Sequence, residues 1–142
     1  MTLVVPNLAE DRALKILLNV DAPDDLDIKL FKNNYTPVNG SHLGNFDEAD
    51  FTGYAPIEID PGDWVFTPGT PSDAEHPQVI FTSTAGAQNQ DVYGYYVVER
   101  NPGSNGVVRW AERFGNGPYN IQNLGDQIKV TPRFTAASES AD

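Results

Sequence analysis

The chain contains no cysteine. Disulfide staples, thiolate metal sites and thiol nucleophiles are therefore excluded, and the redox compartment leaves no trace in the sequence. Histidine is almost as scarce, with two in 142 residues, His42 and His76. A zinc site would have to recruit both and add carboxylates, an unfavoured arrangement. Residues 92–134 hold no serine beside a base as a nucleophile would, and no phosphate-binding loop. No apolar run approaches the roughly 20 residues that span a bilayer, so no membrane partner is expected. The N-terminal MTLVVPNLAEDR lacks a basic segment followed by an apolar stretch, so no standard secretory signal is expected.

Positive charge is also in short supply. Nine Lys and Arg face 20 Asp and Glu, a formal net charge of −11. Such a chain repels phosphate backbones, which disfavours direct nucleic-acid binding and supports solubility. Breakers, in contrast, are abundant: 12 glycines and 11 prolines. They exclude long helices and indicate many turns. The length suits one domain that buries roughly two-thirds of its unfolded surface. We place that domain at residues 1–134, with 135–142 as a small, acidic, disordered tail.

One helix is expected, at residues 8–18 (LAEDRALKILL). Asn7 supplies the N-cap, with Glu10 completing a capping box and Glu10 and Asp11 in the first turn. Leu14, Leu17 and Leu18 recur at helical spacing as its apolar side. About three turns are too few for independent stability, so the helix must dock. TLVV before Pro6 is extended. It serves either as an arm that adds a strand to a neighbour or as a strand of its own sheet.

From residue 26 the period becomes two. LDIKLF places Leu26, Ile28 and Leu30 on one face, and YAPIEID does so with Ala55, Ile57 and Ile59. Pro56 marks the latter as an edge strand. DWVFT, QVIFTST, YNI and DQIKV are further strands, the last with Ile128 and Val130 inward. VYGYYVVE is apolar on both faces, as in a central strand. NPGSNG is a hairpin turn, with Asn105 and Gly106 in the turn positions. VVRWAERF alternates Val108, Trp110 and Phe114 against Arg109, Ala111 and Arg113. TPGTPSDAEHP and AGAQNQD read as loops. Gly115, Gly117 and Pro118 form a turn in which glycine supplies positive φ. The fold class is all-β: a single-domain antiparallel β-sandwich, jelly-roll-like, with about eight strands and one short N-terminal helix.

Chemistry-bearing signals are weak. Asp21, Asp24, Asp25 and Asp27 form one acidic run, and Asp47, Glu48 and Asp50 a second. Neither has EF-hand spacing, so solvated loops are favoured over calcium sites. Glu112 and Asp63 lie near tryptophans as glycosidase carboxylates do, but Arg109 and Arg113 flank Glu112 and suggest a structural ion pair instead. No catalytic, cofactor or metal residue is assigned. Aromatics and arginines suit contact surfaces. The candidate interface residues are Leu3, Val4, Val5, Trp64, Tyr95, Arg109, Arg113 and Tyr119.

Several segments carry a family likeness across residues 8–134: ALKILL, LFKNNYTP, FDEADFTGY, VYGYYVV, WAERFGNGPYNI and GDQIKVTPRF. In order and spacing the chain resembles small structural proteins of tailed-bacteriophage virions, most like the capsid decoration (cement) proteins. The resemblance implies a non-enzymatic role without cofactor, made in the host bacterial cytoplasm and placed on the capsid exterior. Its partners would be the major capsid protein and copies of itself, trimers fitting local threefold sites. The alternatives are a tail, neck or baseplate component, or a carbohydrate-binding receptor-recognition module stacking sugars on Trp64 or Trp110. A glycan-cleaving enzyme is the least favoured.

Overall fold

Tyr95, Tyr96, Val97 and Val98 are consecutive and all buried. A strand can bury consecutive side chains only when both faces of its sheet are covered. The computed structural model describes residues 3–23, 25–69, 72–100 and 107–136. In chain order its elements are β1 (Leu3–Val4), α1 (Asn7–Leu17), β2 (Leu26–Phe31), β3 (Ile57–Ile59), β4 (Val65–Thr67), β5 (Ser72–Glu75) and β6 (Val79–Thr82). They continue with β7 (Gln90–Val92), β8 (Gly94–Glu99), β9 (Val108–Arg113), β10 (Tyr119–Ile121), β11 (Gln127–Val130) and β12 (Arg133–Ala136).

Every strand pair is antiparallel. The main sheet has the order β1-β9-β8-β2-β3, and three small ladders stand apart from it: β10-β7, β11-β6 and β12-β5-β4. The protein is thus mostly β with one helix. Its strands are distributed over four ladders rather than the two sheets of a jelly roll.

One face of the main sheet presents Ile28, Leu30, Tyr95, Val97 and Trp110 to Phe81, Val92, Ile121, Ile128 and Val130 of the small ladders. The other presents Phe31, Tyr96, Val98 and Ala111 to Phe46, with Tyr35 and Leu43 alongside. The Phe46 ring stacks on Tyr96 at 4.7 Å and meets Phe31 edge-on at 5.2 Å. Each such side chain removed from water stabilises the fold by about 1.5–3 kcal/mol. The interior therefore has two layers, with β8 between them.

Several expectations change. Helix α1 starts after Pro6, whose carbonyl accepts from the Ala9 and Glu10 amides at 2.9 and 3.1 Å. Asn7 lies inside the helix and makes no capping bond. The leucine side is outward: Leu14, Leu17 and Leu18 are all exposed, and the helix rests on β9 through buried Ala9 and half-buried Arg12 and Ile16. Spacing identified an apolar stripe, but an ion pair decided which side faces in. Val108 and Trp110 do not share a face. A register shift sets Val97 opposite Trp110 and Val98 opposite Val108, so the bulge sends them to opposite layers and buries Ala111.

Two expected loops contribute strands, β5 from the first and the start of β7 from the second. Thr135 and Ala136, assigned to the tail, extend β12. Among the described residues the glycines with positive φ are Gly53 and Gly125, not Gly115 or Gly117. Gly117 is needed for space, since a Cβ there would sit 3.1 Å from that of Phe114. The Asn105–Gly106 turn and the tail from residue 137 lie outside the described residues. β3, preceded by Pro56, is an edge strand.

Candidate functional site

Two surfaces are considered in turn. The first is the outward side of α1. Arg12 projects from the opposite side and places Nε 3.0 Å from Oε1 of Glu99, at the end of β8. Arg109 of β9 reaches the same oxygen at 2.8 Å. Glu99 is buried, so two guanidinium groups supply the counter-charge that water cannot. Arg12 also holds Asp21. The helix is pinned by charge at its inward side. Leu14, Leu17, Leu18 and Val20 are left 58–76% exposed. Lys15 bonds Asp11 one turn back at 3.0 Å on the helix surface.

The second surface is a groove of about 170 Å³ lined by Pro23, Asp25, Leu26, Ile59, Pro61 and Trp64. Leu26 and Ile59 are cross-strand partners of β2 and β3 and make its floor. Pro61 opens a short 3₁₀ turn, Pro61–Asp63, whose Gly62 amide donates to the Asp60 side chain at 2.8 Å. That cap sets the direction from which Trp64 enters. The indole is then braced edge-on by His76 at 5.3 Å and Trp110 at 6.2 Å, with Phe134 at 6.3 Å. Asp25 lies 3.7 Å from Arg100, which bonds Asp27 at 2.6 Å and lies 3.3 Å from Glu58; Asp27 and Glu58 alternate with Leu26 and Ile59 and so point to the other face of the β2–β3 pair. The hydrogen bonds that Arg100 donates to Asp27 hold its guanidinium above its ordinary pKa. Three carboxylates thus share one cation.

The sequence-predicted interface residues are scattered. Leu3 and Val4 pair with Glu112 and Ala111 of β9, so the N-terminal segment joins its own sheet, and Val5 packs on the core. Trp64 is half-buried in the groove, whereas Trp110 is buried and offers no platform. Tyr95 is also buried. Its hydroxyl donates to Glu112 at 2.9 Å, and burial raises its pKa. Glu112 is therefore held by a phenol, not by the flanking arginines. Arg109 serves Glu99. Arg113 donates to the Tyr35 carbonyl at 3.1 Å and lies over the Tyr93 ring. Tyr119 is exposed on β10 and leans on Phe114. Of the eight, Trp64 lines the groove and Tyr119 is well exposed elsewhere.

The acidic runs are largely paired with cations or amides. Lys32 and Gln90 bond Asp50, and these hydrogen bonds, that from Gln90 foremost, lower its pKa. Glu48 accepts from the Tyr54 hydroxyl at 2.8 Å and lies 3.6 Å from Lys29. Among the described residues no three His, Asp or Glu are grouped as metal ligands. His42 caps a 3₁₀ turn, Leu43–Asn45. His76 is buried with Nδ1 2.8 Å from the Pro77 carbonyl, so Nδ1 carries the proton. Its Nε2 has no hydrogen-bond partner and lies 3.9 Å from Asp63.

Residue patterning missed Glu99, Arg12 and Arg100, as well as Pro23 and Pro61 at the groove. One signal was available: a carboxylate ending a strand that is apolar on both faces needs a cation. No protein-family model matches the chain, and no curated protein or solved structure is significantly similar to it.

Proposed function

We propose that this chain is a non-enzymatic structural protein of a tailed-bacteriophage virion, a capsid decoration protein that binds the outer shell and stabilises it. The segments of its sequence that resemble such proteins suggest the class, and one structural observation supports it. That observation is the exposed apolar surface of α1 and the turn that follows it, carrying Leu14, Leu17, Leu18 and Val20. Clustered exposed apolar side chains on a stable domain mark contact surfaces. Here the helix is held on the sheet by Arg12, Glu99 and Arg109, so the leucines are presented without an ordering cost at the moment of contact.

The rest of the molecule suits repeated attachment. A sheet packed on both faces makes a stiff block, and the charge of −11 keeps unattached copies soluble. A modest contact becomes durable when copies of the chain associate and bind a repeating lattice of major capsid protein together. Purified protein mixed with undecorated expanded capsids tests this directly. Added density on the shell at saturating protein is expected, and it is lost on Leu14→Asp/Leu18→Asp substitution. A shell that stays bare with the unaltered protein overturns the proposal.

A further inference from the structure

Asn39 and Gly40 are the two central residues of an exposed turn, closed where the Ser41 amide donates to the Val38 carbonyl at 2.9 Å. The Asn39 carbonyl in turn accepts from the amide of Asn7, the first residue of α1, at 2.9 Å. Two Asn-Gly pairs lie among the described residues, Asn39–Gly40 and Asn116–Gly117. In such a pair the glycine nitrogen can attack the asparagine side-chain carbonyl, so what engages that nitrogen decides the chemistry. The Gly40 amide has no hydrogen-bond partner among the described residues, and nothing lies within 4 Å of where a Cβ would stand. The Gly117 amide donates to the Phe114 carbonyl at 3.3 Å, and a Cβ there would lie 3.1 Å from that of Phe114. The sequence offers two equivalent pairs, and the fold leaves one of them free to react.

We infer that Asn39 is a site of spontaneous deamidation, passing through a succinimide to isoaspartate and aspartate with water as the co-reactant. The Gly40 nitrogen bonds to Cγ of Asn39 and the Cγ–Nδ2 bond breaks. The glycine nitrogen gives up its proton to solvent, and the departing nitrogen takes one up and leaves as ammonia. Water then opens the ring: its hydroxyl joins one of the two ring carbonyl carbons and its other proton returns to the Gly40 nitrogen. Opening at Cγ gives aspartate. Opening at the main-chain carbonyl gives isoaspartate, in which the chain runs through Cβ and a free carboxylate hangs from Cα. No electrons are transferred. Two hydrogen bonds hold the turn, but neither engages the attacking nitrogen, and a glycine without Cβ leaves its approach unhindered. The consequence reaches α1. The oxygen that receives the Asn7 amide becomes part of the ring and then of the pendant carboxylate, while the turn lengthens by one methylene and loses its closing hydrogen bond. This inference does not rest on the virion reading.

The test is peptide mapping by mass spectrometry after the intact chain has been held in warm, mildly alkaline buffer, with a fragmentation method that separates isoaspartate from aspartate. Asn39 is expected to convert several-fold faster than Asn116 in the folded protein. In urea both glycine amides are released, and the two rates should converge. Gly40→Ala meets open space at a φ outside the left-handed region, so the melting temperature should stay that of the parent. Its added methyl hinders the attacking nitrogen, and conversion at Asn39 should slow several-fold. Amide hydrogen exchange at Asn7 and Ser41 should quicken in the converted protein as the turn loosens. Equal rates at Asn39 and Asn116 in the folded chain overturn the inference, as does an Asn39 that stays intact. A difference that persists in urea would assign the selectivity to neighbouring residues and overturn the role given to the fold. An unchanged rate in Gly40→Ala overturns attack by the Gly40 nitrogen, and unchanged exchange at Asn7 and Ser41 overturns the link to α1.

Discussion

Arg12 and Glu99 are 87 residues apart in sequence and meet at 3.0 Å, joining the only α-helix among the described residues to the central strand. This contact decides which side of α1 is hidden. Arg109 approaches the same carboxylate oxygen at 2.8 Å, so removing the acid takes a partner from two guanidinium groups at once, with Arg12 keeping its ion pair to Asp21. Glu99→Ala is expected to destabilise the protein by about 3–5 kcal/mol. Glu99→Gln keeps an oxygen acceptor and should lose less. Urea denaturation of both variants checks the order. A Glu99→Ala protein as stable as its parent would remove the anchoring role assigned to the pair.

Gly94 begins β8 where the strand crosses Phe31 and β9. A Cβ there would lie 2.3 Å from the Glu112 carbonyl and 2.5 Å from the Phe31 ring. Backbone cannot retreat without opening the β8–β9 ladder, and Phe31 is fully buried. Gly94→Ala should therefore cost more than about 2 kcal/mol, in the range of overpacked cores. A melting temperature matching the parent's would contradict this.

Strands whose residues alternate were legible because period two and burial are one fact. Ile28, Leu30, Ile128 and Val130 lie inward as their spacing requires. The two-faced apolar run around Tyr95 and Tyr96 announced a central strand, and Pro56 an edge. Long-range balance was not legible. The helix docks as expected, but leucine spacing reports amphipathicity, not which side meets the sheet. The faces of Val108 and Trp110 failed because a bulge adds a residue without altering composition. The groove was half legible: Trp64 stood out, but its partners Pro23, Asp25 and Pro61 come from turns on either side of two strands. Only their antiparallel pairing brings them together.

The leucines of α1 should be energetically silent in the isolated chain. Leu17 is 76% exposed and Leu18 69%. Replacing either by glutamine should change unfolding free energy by less than about 0.5 kcal/mol, as for surface positions without partners. The same replacements should reduce binding of an apolar fluorescent dye. Ile16, half-buried on the inward side, is the control: Ile16→Ala should lower the melting temperature measurably. If Leu17→Gln proves as damaging as Ile16→Ala, the orientation of the helix is other than described.

The Asp126 carboxylate accepts from the Gln122 and Asn123 amides at 2.9 and 2.8 Å. These backbone hydrogen bonds, that from Asn123 first, hold its pKa below the ordinary 3.8. A carboxyl group depressed in the folded state stabilises it above the unfolded value, and that contribution fades as pH falls through the folded value. Asp126→Ala should thus reduce stability near neutrality and leave a shallower decline on acidification below 3.8.

Three tyrosines govern the opposite limb. Burial is the largest cause raising the pKa of Tyr54, Tyr95 and Tyr96, with Glu48 or Glu112 adding to it. A phenol raised in the folded state costs nothing below its unfolded pKa, about 10. Above that value the unfolded chain alone can ionise, so stability falls as pH climbs toward the folded values. In an alkaline titration followed by tyrosinate absorbance, these three of the six tyrosines should stay silent until the protein unfolds, then appear together. Tyr95→Phe leaves the Glu112 carboxylate without its phenolic donor but removes one of the three groups whose ionisation drives alkaline unfolding. Its unfolding transition should begin at higher pH relative to its own neutral stability. Six tyrosines titrating independently in the folded protein would show instead that these phenols have access to water.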